Sequence, residues 1–322
     1  MKKVCVIGCG AIGSLYAAHL ARVSEVWAFV RREDHARALQ EHGLRVSGIH
    51  SFSAALKAST KAPELPRDFD FGIVATKAMQ VEDAMAEVGS HFDRGAIISA
   101  QNGLGSEEII AAHTRGQVIR ATTFMSGTRH SDTHVQYELA TPTWLGPFEP
   151  RETPFVMVRE AADLIVAGGL KAEALDDARP AQWSKLIFNA SVNGVSALTG
   201  LPHSPHFAKE EKFDDLGHLL HELMEEGKRV AAAVGVKLHE DPWEMNKIGA
   251  MTNHPTSMLY DVRHCLPTEV DFLSGAIARE AQRVGVPAPL HTAVYRLIKG
   301  KEAGWTFQEE NRPVAVQPKA GH

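Results

Sequence analysis

The stretch VCVIGCGAIG, residues 4–13, decides the fold. Val4 to Ile7 form a short apolar run that reads as a buried strand. Gly8, Gly10 and Gly13 follow at GxGxxG spacing, and the residues from Ser14 to Arg22 carry a helical pattern. Each glycine has a distinct physical task. Gly8 permits a tight turn out of the strand. Gly10 lets a pyrophosphate approach the backbone, and Gly13 lets the helix pack closely on the strand. The helix then turns its free N–H groups and positive dipole end toward phosphate. A bare GxGxxG is weak evidence, but a strand before it and a helix after it supply the context the motif requires. The alternative is an ordinary glycine-rich turn between strand and helix.

The next strand bears on the cofactor. Residues 25–30, EVWAFV, read as that strand and end in Arg31 and Arg32. Arg31 lies 18 residues beyond Gly13, where an acidic residue would bind the ribose 2′-hydroxyl of NAD. An arginine offers a planar donor fork to a 2′-phosphate instead. The pattern therefore favours NADP(H), the alternative being a pair of solvated loop charges.

Composition bounds the remaining possibilities. A chain of 322 residues has room for two domains. Hydrophobic content of 44% and charged content of 23% are ordinary for a globular protein. A net charge of −5 gives no basic signal for nucleic acid or an acidic membrane. The lysines and apolar run at the start imitate a signal peptide, but the glycines explain that run better. No uninterrupted apolar stretch approaches ~18 residues, so no membrane span is expected. The three cysteines, Cys5, Cys9 and Cys265, form neither a disulfide framework nor a zinc spacing, and their number suits a reducing cytoplasm. Cys5 and Cys9 read as small packing residues. The 17 histidines are scattered without metal-ligand spacing, so no metal is expected.

Along the chain, strands and helices alternate at first, which predicts a doubly wound parallel sheet of Rossmann type. Residues 71–76 (FGIVAT), 96–100 (AIISA) and 117–122 read as further strands. Residues 135–146 suggest an antiparallel edge, and 155–167 a helix closing the α/β domain. Beyond Asp176 the pattern becomes helical. Helices are predicted over 180–198, 213–234, 256–265, 270–284 and 289–299, with Gly235 and Gly285 as stops. The second helix has Phe213, Leu216, Leu219, Leu220 and Leu223 on one side. The expected organisation is an NADP-binding domain over 1–176, an all-α substrate and catalytic domain over 177–311, and a flexible tail over 312–322. The active site is expected in the cleft between the domains.

Lys185, Asn189 and Asn193 recur every four residues in WSKLIFNASVNGVSAL. They drift only about 80° around a helix and so form one polar stripe. Asparagine is unfavourable inside helices by a few tenths of a kcal/mol. Aligned with a lysine, two of them suggest a substrate-facing row, the alternative being a solvated helix face.

Five motifs in order, GCGAIG (8–13), TKAMQ (76–80), QNGLG (101–105), KLIFNASVN (185–193) and TSMLYDV with TEVDFLSG (256–275), resemble the ketopantoate reductases, the 2-dehydropantoate 2-reductases. The resemblance runs from the glycine loop to about residue 300. It implies that Lys185 protonates the substrate oxygen and that Glu269 helps hold substrate and lysine. It further implies that Asn189 and Asn193 bind substrate polar groups, and that Ser257 contacts the carboxylate. Asn102 would lie near the nicotinamide and the substrate carbonyl. Gly8, Cys9, Gly10, Ala11, Ile12 and Gly13, with Arg31, Lys77 and Gln80, would hold NADPH. A ketone reduced by hydride leaves charge on oxygen, so a cation or acid beside it lowers the barrier.

Other readings of these residues stay open. Thr268 and Asp271 could form a capping box that makes Glu269 a first-turn carboxylate. Lys77 could be a solvated loop lysine, and Asn102–Gly103 an ordinary turn. Two departures, His254 for a frequent asparagine and Leu266–Pro267 before TEVD, leave the particular 2-keto acid open. The expected function is NADPH-dependent reduction of 2-dehydropantoate to (R)-pantoate. The alternatives are reduction of another 2-keto acid, or a nucleotide-sensing Rossmann protein. A sensor needs no proton donor, which the retained Lys185 argues against. A homodimer is possible.

Overall fold

The computed structural model describes residues 1–209, 215–250 and 255–310. His254 and the expected tail at 312–322 lie outside the described residues. Among those described, the chain forms two compact units. One comprises Met1–Leu186 with Gly235–Asp241, and the other Ile187–Val234 with the residues from Pro242 onward.

The first unit is built on twelve strands: β1 (Lys3–Ile7), β2 (Glu25–Phe29), β3 (Leu44–Gly48), β4 (Phe52–Ala54), β5 (Lys57–Ser59), β6 (Phe71–Val74), β7 (Ala96–Ser99), β8 (Gln117–Thr123), β9 (Ser126–Ser131), β10 (His134–Leu139), β11 (Thr143–Pro147) and β12 (Ala172–Ala174). Eight of them make one sheet in the order β12-β11-β8-β7-β6-β1-β2-β5. The pairs from β8 through β5 are all parallel, whereas β11 runs antiparallel to β8. The chain leaves β1 toward β2 and β5, then returns to β6 on its other side, so the strand order reverses at β1. This is the doubly wound arrangement that the glycine motif predicts, and ligands bind at such a switch point.

The apolar runs of β1, β6 and β7 follow from coverage on both faces. Val4 and Val6 join a core that includes Leu15 and Tyr16 of α1 (Ala11–Leu20) and Val158 and Ile165 of α5 (Phe155–Ala167). Cys5 and Ile7 point the other way. They pack with Val81, Met85 and Val88 of α3 (Val81–Val88) and Ile110 of α4 (Ser106–His113). The two cysteines are buried in these cores, and burial pushes the Cys9 thiol up to about 12. α2 (Glu33–His42) places Ala36 and Leu39 in the same core as α1 and α5.

That second sheet, β4-β3-β10-β9, was not legible in the sequence. The expected edge at 135–146 divides. Its first part, β10, pairs parallel with β3 and antiparallel with β9, while β11 continues the large sheet. Val46, Val135 and Tyr137 of the small sheet pack into the same core as α1, which is why these strands turn apolar residues to one side.

The helices of the second part are α6 (Arg179–Thr199), α7 (Asp215–Val234), α8 (Pro242–Gly249), α9 (Ser257–Arg263), α10 (Ser274–Val284) and α11 (Pro289–Glu310). Leu220 and Leu223 of the predicted α7 stripe are buried, Leu216 and Leu219 partly so, and Phe213 lies outside the described residues. Buried Glu226 of α7 accepts hydrogen bonds from the N–H groups of Leu290 and His291, capping α11. Gly285, at φ +72°, ends α10 as expected. Two bounds of these helices differ from expectation by more than two residues. α11 continues past 299 to Glu310, and α10 begins at Ser274 rather than 270. Thr268 does not form a box with Asp271. Its N–H and hydroxyl both donate to Glu302, and Asp271 accepts from Tyr295 and Lys299. Among the described residues no helix is long and apolar enough to cross a membrane, and no cluster of three potential metal ligands occurs.

Candidate active site

Strands β8, β7, β6, β1 and β2 are adjacent and parallel, so their C-terminal ends share one edge of the sheet. The glycine loop leaves β1 there. Gly8 sits at φ +90°, and a Cβ on it would lie 2.7 Å from Thr76 Cγ2. A Cβ on Gly13 would lie 1.9 Å from the Gly8 carbonyl oxygen. Both glycines are therefore demanded by the protein's own packing. Gly10 is different. It is exposed, and a Cβ there would meet nothing within 4 Å. Nothing in the chain demands a glycine at this point, whereas a ligand lying on the loop would. Cys9, Ala11 and Ile12 complete the turn, and no side chain caps the start of α1. The first N–H groups of a helix have no intrahelical acceptor, so this end is ready for an anion.

On one side of the loop, β2 ends before Arg31 and Arg32. Their situations separate them. Arg32 is tied to Asp34 at 2.7 Å and Asp132 at 2.5 Å. These arginine contacts hold the Asp132 carboxyl below the usual range despite its partial burial. Arg31 is exposed and makes no ion pair among the described residues. On the other side, β6 leads to half-buried Lys77 and, in the turn opening α3, half-buried Gln80. β7 leads to Gln101 and half-buried Asn102.

Two buried polar atoms on this edge lack a hydrogen-bond partner, Thr76 Oγ1 after β6 and Gln101 Nε2 after β7. Gln101 is only 7% exposed, and its other amide atom accepts from Ser99 at 2.9 Å. A buried polar group left unsatisfied costs ~1–3 kcal/mol, which a ligand on this edge would relieve. Neither residue was singled out from the sequence, because burial without a partner is a tertiary property. Their places at the heads of the TKAMQ and QNGLG motifs were the only signal.

Lys185 lies at the far end of the same edge. Its Nζ donates to the Thr123 carbonyl at the end of β8, at 2.5 Å, and stands 5.5 Å from the centroid of the Phe124 ring. The strand ends thus present, in spatial order, Lys185 on Thr123, then Asn102, Lys77, the glycine loop and Arg31. Four strand spacings of ~4.8 Å separate β8 from β2, so the row extends over roughly 19 Å. It suits an elongated ligand with an anionic middle.

The other predicted residues lie in the second unit. α6 carries Asn189 and Asn193 one and two turns beyond Lys185, flanked by buried Leu186, Ile187, Val192 and Val195. Asn193 is 7% exposed, which does not fit a solvated helix face. Ser257 is exposed as the first residue of α9, where Thr256 caps the helix by accepting from the Leu259 N–H at 3.2 Å. Glu269 is buried in the turn before α10, and its backbone carbonyl accepts from Phe272 and Leu273.

Comparison with known proteins identifies the family. Residues 4–150 match the family described as "Ketopantoate reductase PanE/ApbA", and residues 177–302 match its C-terminal part. A 2-dehydropantoate 2-reductase of Archaeoglobus fulgidus is 28% identical over 310 residues, covering 94% of this chain and 99% of that protein. The crystal structure of 2-dehydropantoate 2-reductase from Methylococcus capsulatus is 26% identical, with a TM-score of 0.77 over 94% of this chain and 97% of its own. A PanE/ApbA family ketopantoate reductase from Ralstonia eutropha JMP134 shares the fold, with a TM-score of 0.83 at 24% identity over 94% of this chain and 99% of its own. With both halves matched in order, the chain belongs to the ketopantoate reductase PanE/ApbA family of oxidoreductases.

Proposed function

We propose that this protein reduces 2-dehydropantoate to (R)-pantoate with NADPH, a step of pantothenate and coenzyme A biosynthesis, in the cytoplasm. In this reading residues 1–176 hold the cofactor and residues 177–311 provide most of the substrate determinants. The observation that carries the reading is the row of strand ends, with a lysine at one end and an open Gly10 one strand in from the other. Arg31 takes the 2′-phosphate, the loop from Gly8 to Gly13 takes the pyrophosphate, and Lys77 and Gln80 flank it. Asn102 serves the reacting end. When bound, the reduced nicotinamide supplies hydride to the substrate carbonyl.

The chain's own residues do the rest. Charge grows on the carbonyl oxygen as it is reduced, and the Lys185 ammonium neutralises that charge and donates the proton. The Thr123 carbonyl holds the ammonium in place. Asn189 and Asn193 bind hydroxyl and carboxylate oxygens, Ser257 binds the carboxylate, and Glu269 orients substrate and lysine.

The test is NADPH oxidation by the purified protein across 2-dehydropantoate, 2-ketoisovalerate and phenylpyruvate. We expect the first to give the highest kcat/KM, because a site built to hydrogen-bond a hydroxyl rejects an analogue lacking it by up to ~10⁴-fold. Better turnover of either analogue makes the protein a reductase of another 2-keto acid. Tight NADPH binding with no turnover of any of them makes it a sensor.

A further inference from the structure

A buried polar network lies beneath Lys185, wholly within the first unit, and no step of the proposed reaction uses it. At its centre is Gln182, 4% exposed and one helical turn before Lys185 on α6. Its Oε1 accepts from Arg120 Nη1 at 2.8 Å. Its Nε2 donates to Glu107 Oε1 at 2.8 Å and to the Gly103 carbonyl at 3.2 Å. The amide cannot be turned round. A guanidinium only donates, and a carbonyl only accepts. Arg120 is itself buried, reaching Glu149 at 3.1 Å and lying 3.8 Å from Glu107. Burial pushes the Glu107 carboxyl up, and the Arg120 charge pulls it back.

The connections have a geometric meaning. Gly103 follows Asn102 in the segment leaving β7, Arg120 lies on β8, and Glu107 lies on α4. Gln182 therefore ties β8, the segment leaving β7 and α4 to the start of α6. The two rungs between β8 and α6 are Arg120 to Gln182 and Thr123 to Lys185. The two contacts are three residues apart on the strand and three residues apart on the helix. The Thr123 carbonyl holds the tip of a flexible lysine stem, whereas Gln182 holds the helix from which that stem rises. With both, the helix face that presents Lys185 is locked to the strand that anchors it and to the segment that presents Asn102.

We infer that Gln182 is a positioning residue. Its amide sets Lys185 and the Asn102–Gly103 segment in one rigid frame, so that proton donor and reacting carbonyl meet in register. The inference rests on the reading of Lys185 as proton donor. A shift of ~1 Å in such a frame costs on the order of 10²-fold in rate.

The experiment compares wild type, Gln182→Met, Lys185→Ala and the double variant. For each we would measure kcat, the Kd for NADPH by fluorescence titration, the melting temperature, and the kinetic isotope effect with NADPH deuterated at the transferred position. We expect Gln182→Met to lower kcat by ~10²-fold. NADPH affinity should stay within about threefold, and the isotope effect should rise as the chemical step becomes limiting. In the Lys185→Ala background Gln182→Met should lower kcat by less than about twofold more, since the group it positions is gone. If Gln182→Met does not accumulate, Gln182→Asn carries the same test, because it withdraws the amide by one methylene. A folded variant with wild-type kcat and isotope effect overturns the inference. So does an equal loss in both backgrounds, which would mark Gln182 as acting independently of Lys185. If Lys185→Ala alone keeps kcat, the reading of Lys185 fails first, and the positioning role falls with it.

Discussion

Two of the loop glycines should fail in opposite ways when replaced by alanine. At Gly13 the new Cβ would sit 1.9 Å from the Gly8 carbonyl oxygen and 3.2 Å from Ala75 Cβ. Ordinary contact begins near 3.4 Å, so the start of α1 must recede by about 1.5 Å. A radial gap of 0.5–1 Å already forfeits a quarter to a half of the dispersion energy across an interface. Tyr16, Ala17 and Leu20 share that face of α1, and all three are buried. The cost should reach the upper end of the overpacking range, ~3 kcal/mol. For one cooperative unit of this size that lowers Tm by roughly 5–10 °C. At Gly10 the Cβ meets nothing, and the backbone, φ −72° and ψ −161°, is accessible to alanine. Alanine is a poorer N-cap than glycine but restricts the unfolded chain, and these effects nearly cancel. Gly10→Ala should therefore melt within about 2 °C of wild type. Its methyl instead occupies the space assigned to the pyrophosphate, and ~1.4–3 kcal/mol of overlap lowers NADPH affinity by about 10–100-fold. Thermal melts and NADPH fluorescence titrations on the two variants decide the matter. A Gly10→Ala protein that binds NADPH like wild type would refute the assignment of the loop. A Gly13→Ala protein with unchanged Tm would refute the packing argument.

Three further outcomes are expected. Lys185→Ala should lower kcat by at least ~10²-fold with NADPH affinity little changed, while Asn193→Ala should act mainly on the KM for 2-dehydropantoate; steady-state kinetics with NADPH titration separates them. Arg31→Ala should weaken NADPH binding by about 10–100-fold, the worth of a charge-assisted hydrogen bond, and change NADH binding far less; parallel losses would remove the 2′-phosphate role. Burial lowers the pKa of both His19 and His291 to about 4. These imidazoles stay neutral in the folded protein where the unfolded chain would protonate them. Their contribution is complete above about pH 6.5 and is lost as pH falls toward 4, at ~3 kcal/mol for fully buried His291. Urea unfolding between pH 7 and 4 should show this loss, and a flat profile would contradict it.

Local pattern carried much of this protein. The run into Gly8, the strands at 71–76 and 96–100, and the helices at 180–198 and 256–265 were legible because their apolar period and their stops lie within a few residues of one another. The row of glycine loop, Lys77 and Asn102 was equally legible, since a parallel sheet places its strand ends on one edge. The polar stripe on α6 followed from helical spacing alone.

Other features were set by contacts distant in sequence. The small sheet joins β3 to β10 across about ninety residues, and neither strand announces its partner. Thr268 donates to Glu302, thirty-four residues away, instead of forming a box with Asp271, and α10 starts at Ser274. Arg31 and Arg32 look interchangeable in the chain, until Asp132 claims Arg32 across one hundred residues. Gln182 reads as one more polar helix residue, and only the folded chain closes Arg120, Glu107 and Gly103 around its amide. The physical division is one of range. Backbone propensity and amphipathic period act over a turn or two and are written in neighbouring residues. The pairing of buried polar groups depends on which distant donor and acceptor folding brings within 3 Å, and no spacing along the chain encodes that distance.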